Sequence, residues 1–387
     1  MSGAGVVIVG GGLAGARTAQ TLRSLGFEAP IRLLAGEDAW PYDRPPLSKE
    51  FLAGEIEQDG ICLLDARTAE RLAITVTRGQ RATSVNLDER ELLLDDGSRV
   101  PFDQLVAATG ASPRTLPQLA GLENVFTLRD LGDARALRSA LERGGHVAVV
   151  GGGFIGLEVA SAARTRGCEV TVIEAGSEPM TAAVGPWLGR AIGQWHSSHG
   201  VRLLCERTVA SAETQGAITS VALDDGTSLA ADVVVLAVGV RPEVDWLAGT
   251  ALASEDGVPC DASGRTALAG VFAAGDVARP EVHGRRIAVG HWTPANDMAR
   301  RVAGALSGAE DDERELDDYF WSDQFGARLQ LAGSVHPDGE IVVESGAIDD
   351  WSFMASCRVE GSSSAIFAMN RPRDFVRARL KRQGALA

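Results

Sequence analysis

Twice in this chain a short β-branched run breaks directly into a glycine cluster and then into a helical pattern. Val6-Val-Ile-Val9 leads into Gly10-Gly-Gly-Leu-Ala-Gly15, with helical spacing to about residue 25, and Val147-Ala-Val-Val150 leads into Gly151-Gly-Gly-Phe-Ile-Gly156, with the same pattern to about residue 166. A strand that ends in G-x-G-x-x-G and opens a helix is a phosphate cradle. The glycines permit a tight turn, close backbone approach to a pyrophosphate and helix-on-strand packing, while the N–H groups of the first helical turn face the anion. A second strand and a carboxylate complete each copy: Ile31-Arg-Leu-Leu34 with Glu37, 22 residues after Gly15, and Val170-Thr-Val-Ile173 with Glu174, 18 residues after Gly156. One such βαβ unit holds one pyrophosphate, so two complete fingerprints predict an α/β chain with two dinucleotide sites.

Further strands are expected at residues 92–94, at 104–108 ending in Ala108-Thr-Gly110, at 232–238 ending in Gly239, and at Val271-Phe-Ala-Ala-Gly-Asp276. From about residue 310 the texture changes to a flexible-looking acidic stretch, 310–318, then to alternating segments such as Gln330-Leu-Ala-Gly and Glu340-Ile-Val-Val-Glu344. The expected organisation is a discontinuous first domain at residues 1–112 and 236–312, a nucleotide domain at 113–235 inserted in it, and a mixed, β-rich domain at 313–387.

A net charge of −15 opposes non-specific binding to nucleic acid or an anionic membrane surface. The five cysteines, Cys62, Cys168, Cys205, Cys260 and Cys357, come no closer in sequence than 37 residues, which removes zinc ribbons, cysteine-bound clusters and local redox disulfides, and no metal site is expected. No apolar run approaches the ~20 residues that span a bilayer, and the chain start runs straight into a strand without a signal-like h-region. A soluble, reduced, cytoplasmic protein is expected.

The first fingerprint, Pro41-Tyr-Asp-Arg-Pro-Pro-Leu-Ser-Lys49, Ala108-Thr-Gly110, the stretch 151–158, Gly275-Asp276 and Phe320-Trp-Ser-Asp-Gln324 together resemble the bacterial FAD-dependent ferredoxin reductases that serve cytochrome P450 systems and aromatic-ring dioxygenases. The resemblance runs from about residue 5 to about residue 375, and Pro-Pro-Leu-Ser-Lys and Trp-Ser-Asp-Gln are its most discriminating parts. It implies a glutathione reductase-like flavoprotein with two Rossmann-like dinucleotide-binding domains and a C-terminal α+β domain. It also implies that Gly10, Gly12, Leu13, Ala14 and Gly15 hold FAD, and that Gly151, Gly153, Ile155, Gly156 and Glu174 hold NADH. Glu37, Arg44, Ala82, Thr109, Gly110 and Gly239 are further cofactor contacts by the same resemblance, with Arg129 on the FAD pyrophosphate and Asp276 on the ribityl chain.

Other expectations combine residue chemistry with this resemblance. A carboxylate at Glu174 accepts from a free ribose 2′-hydroxyl and repels a 2′-phosphate, and no arginine lies between it and Arg190, so NADH should be preferred over NADPH. Lysine occurs only at positions 49 and 381 among 37 basic residues, which makes Lys49, in a proline-stiffened loop, conspicuous. A compact ammonium suits a site beside a flavin ring, and by resemblance Lys49 pairs with Glu158 near flavin N5, where positive charge favours hydride arrival. Lys49, Glu158 and Trp321 are the catalytic candidates, and Trp292 borders the flavin with Trp321. Thr293-Pro294 reads as N-cap and N1 of a helix over residues 295–306, its positive end toward flavin N1 and O2; relatives often carry Glu where Gly290 stands. Arg371, Arg373, Arg377, Arg379, Lys381 and Arg382 form a basic stretch suited to steering an acidic ferredoxin.

The implied activity is hydride transfer from NADH to FAD, then single-electron transfers to an iron–sulfur ferredoxin of the [2Fe–2S] type and through it to an oxygenase. A rubredoxin reductase or a peroxide-forming NADH oxidase would keep the same nucleotide sites. A disulfide reductase would need a redox cysteine in the loop that reads Trp40-Pro-Tyr-Asp-Arg-Pro-Pro, which has none. The charge opposes a signalling flavoprotein resembling apoptosis-inducing factor.

Overall fold

Apolar runs without polar alternation suit strands covered on both faces, and both fingerprint strands lie inside parallel sheets. The computed structural model describes residues 3–216, 218–252, 254–282, 284–309 and 314–382, arranged as two compact units.

The first unit comprises Met1–Arg44, Glu57–Ser112 and Val240–Asp317. Its parallel sheet runs Val271–Ala273, Gln104–Ala107, Val6–Val9, Ile31–Ala35, Ile74–Arg78 across the five strands. Alternate side chains divide two cores. Val6, Ile8, Ile31, Leu33 and Val106 pack with Ala19 and Leu22 of helix Leu13–Ser24 and with Val302 and Leu306 of helix Trp292–Leu306. Val7, Val9, Leu34, Leu105 and Ala107 pack instead with Leu92, Leu94 and Val100 of the antiparallel meander Ala82–Asn86, Glu91–Leu94, Arg99–Pro101.

The second unit comprises Pro45–Ile56, Pro113–Gly239 and Asp318–Ala387. Its parallel sheet runs Val201–Cys205, Glu169–Glu174, His146–Val150, Val233–Leu236, Val125–Phe126. Helices Phe154–Thr165, Leu131–Glu142 and Thr181–Ser198 accompany it, together with the meander Val209–Gln215, Ile218–Leu223, Ser228–Ala231. The C-terminal part is a five-stranded antiparallel sheet in the order Phe320–Gln324, Ala327–Gly333, Ser362–Met369, Ser352–Val359, Glu340–Ala347, closed by helix Pro372–Arg382. Pro45–Ile56 is bound into this unit by Arg166 Nε donating to the Leu52 carbonyl at 3.0 Å and by the Arg138 guanidinium over the Phe51 ring at 5.9 Å.

Three expectations need correction in detail. Helix Trp292–Leu306 begins before Thr293: His291, in extended conformation, is the N-cap, and it makes no side-chain capping bond. Pro294 still lies in the first turn, where the missing N–H costs nothing. The expected strand 232–238 shortens to Val233–Leu236: the Asp232 and Ala237 N–H groups still reach the His146 and Val150 carbonyls at 2.9 and 2.8 Å, and the chain then turns at Gly239, φ +95°. The strand expected at 104–108 ends at Ala107. Of the acidic stretch 310–318, residues 310–313 lie outside the described residues.

Phe375 is fully buried under the C-terminal helix. Phe375→Ala should destabilise the protein by about 3–5 kcal/mol, the usual cost of emptying a buried aromatic site, read from the midpoint of urea unfolding.

Candidate functional site

The two glycine turns are geometric copies. Gly10 and Gly151 take φ of +124° and +106°, and a Cβ on either would collide with the carbonyl at the end of the neighbouring strand, that of Ala108 or Ala237. A Cβ on Gly15 or Gly156 would collide with the carbonyl of Gly10 or Gly151 in its own turn. The middle glycines behave differently: Gly12 and Gly153 are helix N-caps with near-identical φ, −77° and −76°, and a Cβ on either would meet nothing within 4 Å. The protein itself therefore tolerates a side chain there, and the open space lies in front of a helix start. Neither helix has a capping side chain or an acid in its first turn, so both ends suit an anion. This is the cradle that a pyrophosphate fits, formed once in each unit.

The two strand-end carboxylates are held by different means. Glu37 accepts from Arg44 Nη2 at 2.8 Å and from the Tyr42 hydroxyl at 2.5 Å. Glu174 accepts from two backbone N–H groups, Gly152 in the glycine turn and Gly176 beyond the strand, each at 2.6 Å. It is thus anchored over the turn, and a carboxylate with about four acceptor positions keeps two for a ligand.

In the first unit, Gly275 abuts Ala14 so closely that a Cβ would lie 2.8 Å from the alanine methyl, which puts Asp276 beside the first helix start. The Thr109 hydroxyl donates to the Glu243 carbonyl at 2.6 Å and accepts from Trp246 Nε1 at 3.4 Å, and Gly110 follows with φ +75°. Ala82 opens the meander opposite Leu94. Trp292 Nε1 donates to Asp43 at 2.8 Å.

In the second unit, Arg129 precedes helix Leu131–Glu142, its N–H donating to Asp133 at 2.9 Å, and Gly239 takes φ +95°. Ile155 is 40% exposed on the first turn of its helix. Trp321 stacks on Tyr319, ring centres 6.0 Å apart.

Lys49 and Glu158 meet. Lys49 Nζ lies 2.7 Å from Glu158 Oε2, with both side chains nearly buried, and it also donates to the Pro45 carbonyl at 3.1 Å. The same carboxylate takes two hydroxyls that the motif reading left without a role: Ser48 at Oε2, and Ser322 at Oε1 at 2.5 Å. Behind Ser322 lie Gln324, donating to its Oγ from Nε2 at 2.9 Å, and His196, whose Nε2 is 2.7 Å from Gln324 Oε1. All three are fully or almost fully buried. Burial, aided by nearby His199, lowers the His196 imidazole to about 4, so it is neutral at physiological pH. The available signal was alternation: in Phe320-Trp-Ser-Asp-Gln324 the inward positions are Phe320, Ser322 and Gln324, so polar groups fall on the core side of the strand.

The cysteines are free, and burial raises the thiols of Cys62, Cys168 and Cys205 and pushes Cys260 up to about 12, the reverse of an activated thiolate. Among the described residues no group of three or more His, Cys, Asp or Glu is placed to hold a metal.

Two dinucleotide cradles on two parallel sheets, each with its strand-end carboxylate, define a dinucleotide-dependent oxidoreductase. The family model for pyridine nucleotide-disulphide oxidoreductases matches residues 4–299, and the reductase C-terminal model matches residues 319–383. The chain belongs to the pyridine nucleotide-disulphide oxidoreductase family. It is 38% identical over 86% of its length to the ferredoxin–NAD(+) reductase component of the anthranilate 1,2-dioxygenase system of Burkholderia cepacia, covering 82% of that protein. Its fold matches the crystal structure of the ferredoxin reductase for the CYP199A2 system of Rhodopseudomonas palustris with a TM-score of 0.93 at 33% identity, covering 97% of this chain and 93% of that one. The covalent putidaredoxin reductase–putidaredoxin complex matches with a TM-score of 0.93 at 29% identity, covering 98% and 93%.

Gly10→Ala and Gly15→Ala should each destabilise the apoprotein by about 1–3 kcal/mol through overpacking. Gly12→Ala should leave its urea midpoint unchanged, because nothing stands within 4 Å of the new methyl.

Proposed function

We infer that this chain is an FAD-dependent NADH:ferredoxin oxidoreductase that feeds a cytochrome P450 or ring-hydroxylating dioxygenase. The observation that carries this reading is the likeness over most of the chain to ferredoxin–NAD(+) reductase components of oxygenase systems, joined to two dinucleotide cradles and a buried lysine–glutamate pair. FAD, when bound, would supply the exchange between a two-electron hydride donor and one-electron acceptors.

The chain's residues bind, orient and set charge; none is required to move a proton. Gly10, Gly12, Leu13, Ala14 and Gly15 cradle the FAD pyrophosphate, to which Arg129 would add a cation by the resemblance alone, and Glu37, oriented by Tyr42 and Arg44, accepts from the adenosine ribose. Asp276 accepts from the ribityl hydroxyls, while Ala82, Thr109 and Gly110 complete the FAD walls. Gly151, Gly153, Ile155, Gly156 and Gly239 form the NADH site, where the two unused acceptor positions of Glu174 take ribose hydroxyls. By the resemblance, Lys49 would hold an ammonium near flavin N5, kept in place by Glu158 and the Pro45 carbonyl, and Trp292 and Trp321 would border the ring. By the same resemblance, the positive end of helix Trp292–Leu306 would serve flavin N1 and O2 through its backbone N–H groups.

On helix Pro372–Arg382, Arg373, Arg377 and Lys381 recur at four-residue spacing and are exposed. Arg382 pairs with Asp318, Arg379 lies over the Tyr319 ring at 4.8 Å, and Arg371 bonds Ser352 and Asp374. The three exposed cations are the docking feature for an acidic [2Fe–2S] ferredoxin. No helix among the described residues is long and apolar enough to cross a membrane. A cytoplasmic setting suits a reductase of diffusible carriers.

NADH-driven cytochrome c reduction should require an added [2Fe–2S] ferredoxin. Rapid oxygen uptake indifferent to ferredoxin would make the chain an NADH oxidase instead. Glu174→Arg should narrow the ratio of kcat/KM for NADH over NADPH by about 10-fold or more, because a cation then faces the 2′-phosphate; an unchanged ratio would remove Glu174 from the nicotinamide site.

A further inference from the structure

The buried groups behind Glu158 have their protons placed by stoichiometry. Ser322 has one hydroxyl proton and two polar neighbours, Glu158 Oε1 at 2.5 Å and Gln324 Nε2 at 2.9 Å. Glu158, paired with Lys49, is a carboxylate with nothing to donate, so the Ser322 proton points at Glu158 and its oxygen accepts from the Gln324 amide N–H. That orientation turns Gln324 Oε1 toward His196. An amide oxygen only accepts, so His196 Nε2 carries the proton of the neutral ring and Nδ1 is bare. His196 Nδ1 is indeed buried without a hydrogen-bond partner. A bare nitrogen is the cheaper atom to leave so, because the other tautomer would bury an unpaired N–H, and protonating the ring would do the same.

We propose that His196, Gln324 and Ser322 form a one-way chain of donors ending on Glu158, and that Ser322 and Gln324 are positioning residues for the Lys49–Glu158 pair. Reversing the chain would require a donor at Glu158 Oε1 and would leave an N–H unpaired at His196. The chain therefore holds Glu158 as an acceptor and keeps its second oxygen, Oε2, turned to Lys49. Its hydrogen bonds lie wholly within the second unit, between helix Thr181–Ser198, strand Phe320–Gln324 and helix Phe154–Thr165. His199, the C-cap of the same helix, is the titratable neighbour that disfavours a charge on the imidazole. The value of the chain to catalysis rests on the proposed placement of Lys49 at the flavin; the arrangement of its protons does not.

The test is the tautomer of His196 in the full, FAD-loaded chain with 15N-labelled histidine, read by two-bond 1H–15N correlation and assigned among the six histidines by a His196→Gln spectrum. The wild type should show Nε2–H as its main tautomer with Nδ1–H a minor share; a wild type in which Nδ1–H predominates overturns the proposal. Glu158→Gln extends the test. Lys49 selects the amide oxygen for its own side, which turns the new NH2 toward Ser322 and drives the chain backwards. The share of Nδ1–H at His196 should then rise by about tenfold, the scale of one exchanged buried hydrogen bond. Adding Ser322→Ala to Glu158→Gln should return His196 to Nε2–H. A tautomer indifferent to Glu158→Gln in a folded variant overturns the chain. Because the tautomer is read without turnover, loss of the reductase reading would appear in the ferredoxin assay and leave this result standing.

Discussion

The contact on which both halves of the chain depend is a helix backbone pressed against the carbonyl of its own entry turn. At Gly15 and at Gly156 no Cβ can be added without striking the turn carbonyl behind it. That approach seats the helix start over the strand end and aims its first N–H groups at the space before Gly12 or Gly153. The carboxylates Glu37 and Glu174 at the next strand's end, and Asp276 behind Gly275 against Ala14, lie a short step from these two points.

The Lys49–Glu158 pair is the second constraint, and it carries risk as well as use. Two charges this deeply buried repay their desolvation only with full hydrogen bonding, and removing one partner strands the other at a typical cost of about 3–5 kcal/mol. The structure meets the condition: Glu158 receives two hydroxyls besides the ammonium, and Lys49 has the Pro45 carbonyl. A guanidinium would need a planar fork of acceptors, which explains why a chain whose basic residues are nearly all arginine keeps a lysine here.

Much of the architecture was legible because its signals are local. Val6–Val9 and His146–Val150 announce themselves by β-branching, and each glycine turn by its spacing, so the two modules, their strand-end carboxylates and the order of elements follow without tertiary information. Pro294 marked a helix start but not its register, since proline fits any position of the first turn. Helix Thr181–Ser198 was hidden by Gly185, at φ +74°, and Pro186, which interrupt its apolar spacing. Ser48, Ser322, Gln324 and His196 stayed out of reach for another reason. Their partners lie 110, 164 and 128 residues away, for Ser48–Glu158, Ser322–Glu158 and Gln324–His196, and a polar residue on a core face has no local signature of what satisfies it.

The chain passes between its two units five times, leaving the first at Arg44, returning at Glu57, and crossing again after Ser112, Gly239 and Asp317. During synthesis this orders events. Lys49 leaves the ribosome early, but Glu158 follows a hundred residues later, and the strand bearing Ser322 and Gln324 comes almost at the end. The first unit lacks its edge strand Val271–Ala273 until most of the protein exists. Lys49 can therefore meet Glu158 once the parallel sheet of the second unit is made, but the full set of bonds on Glu158 forms only after the strand bearing Ser322.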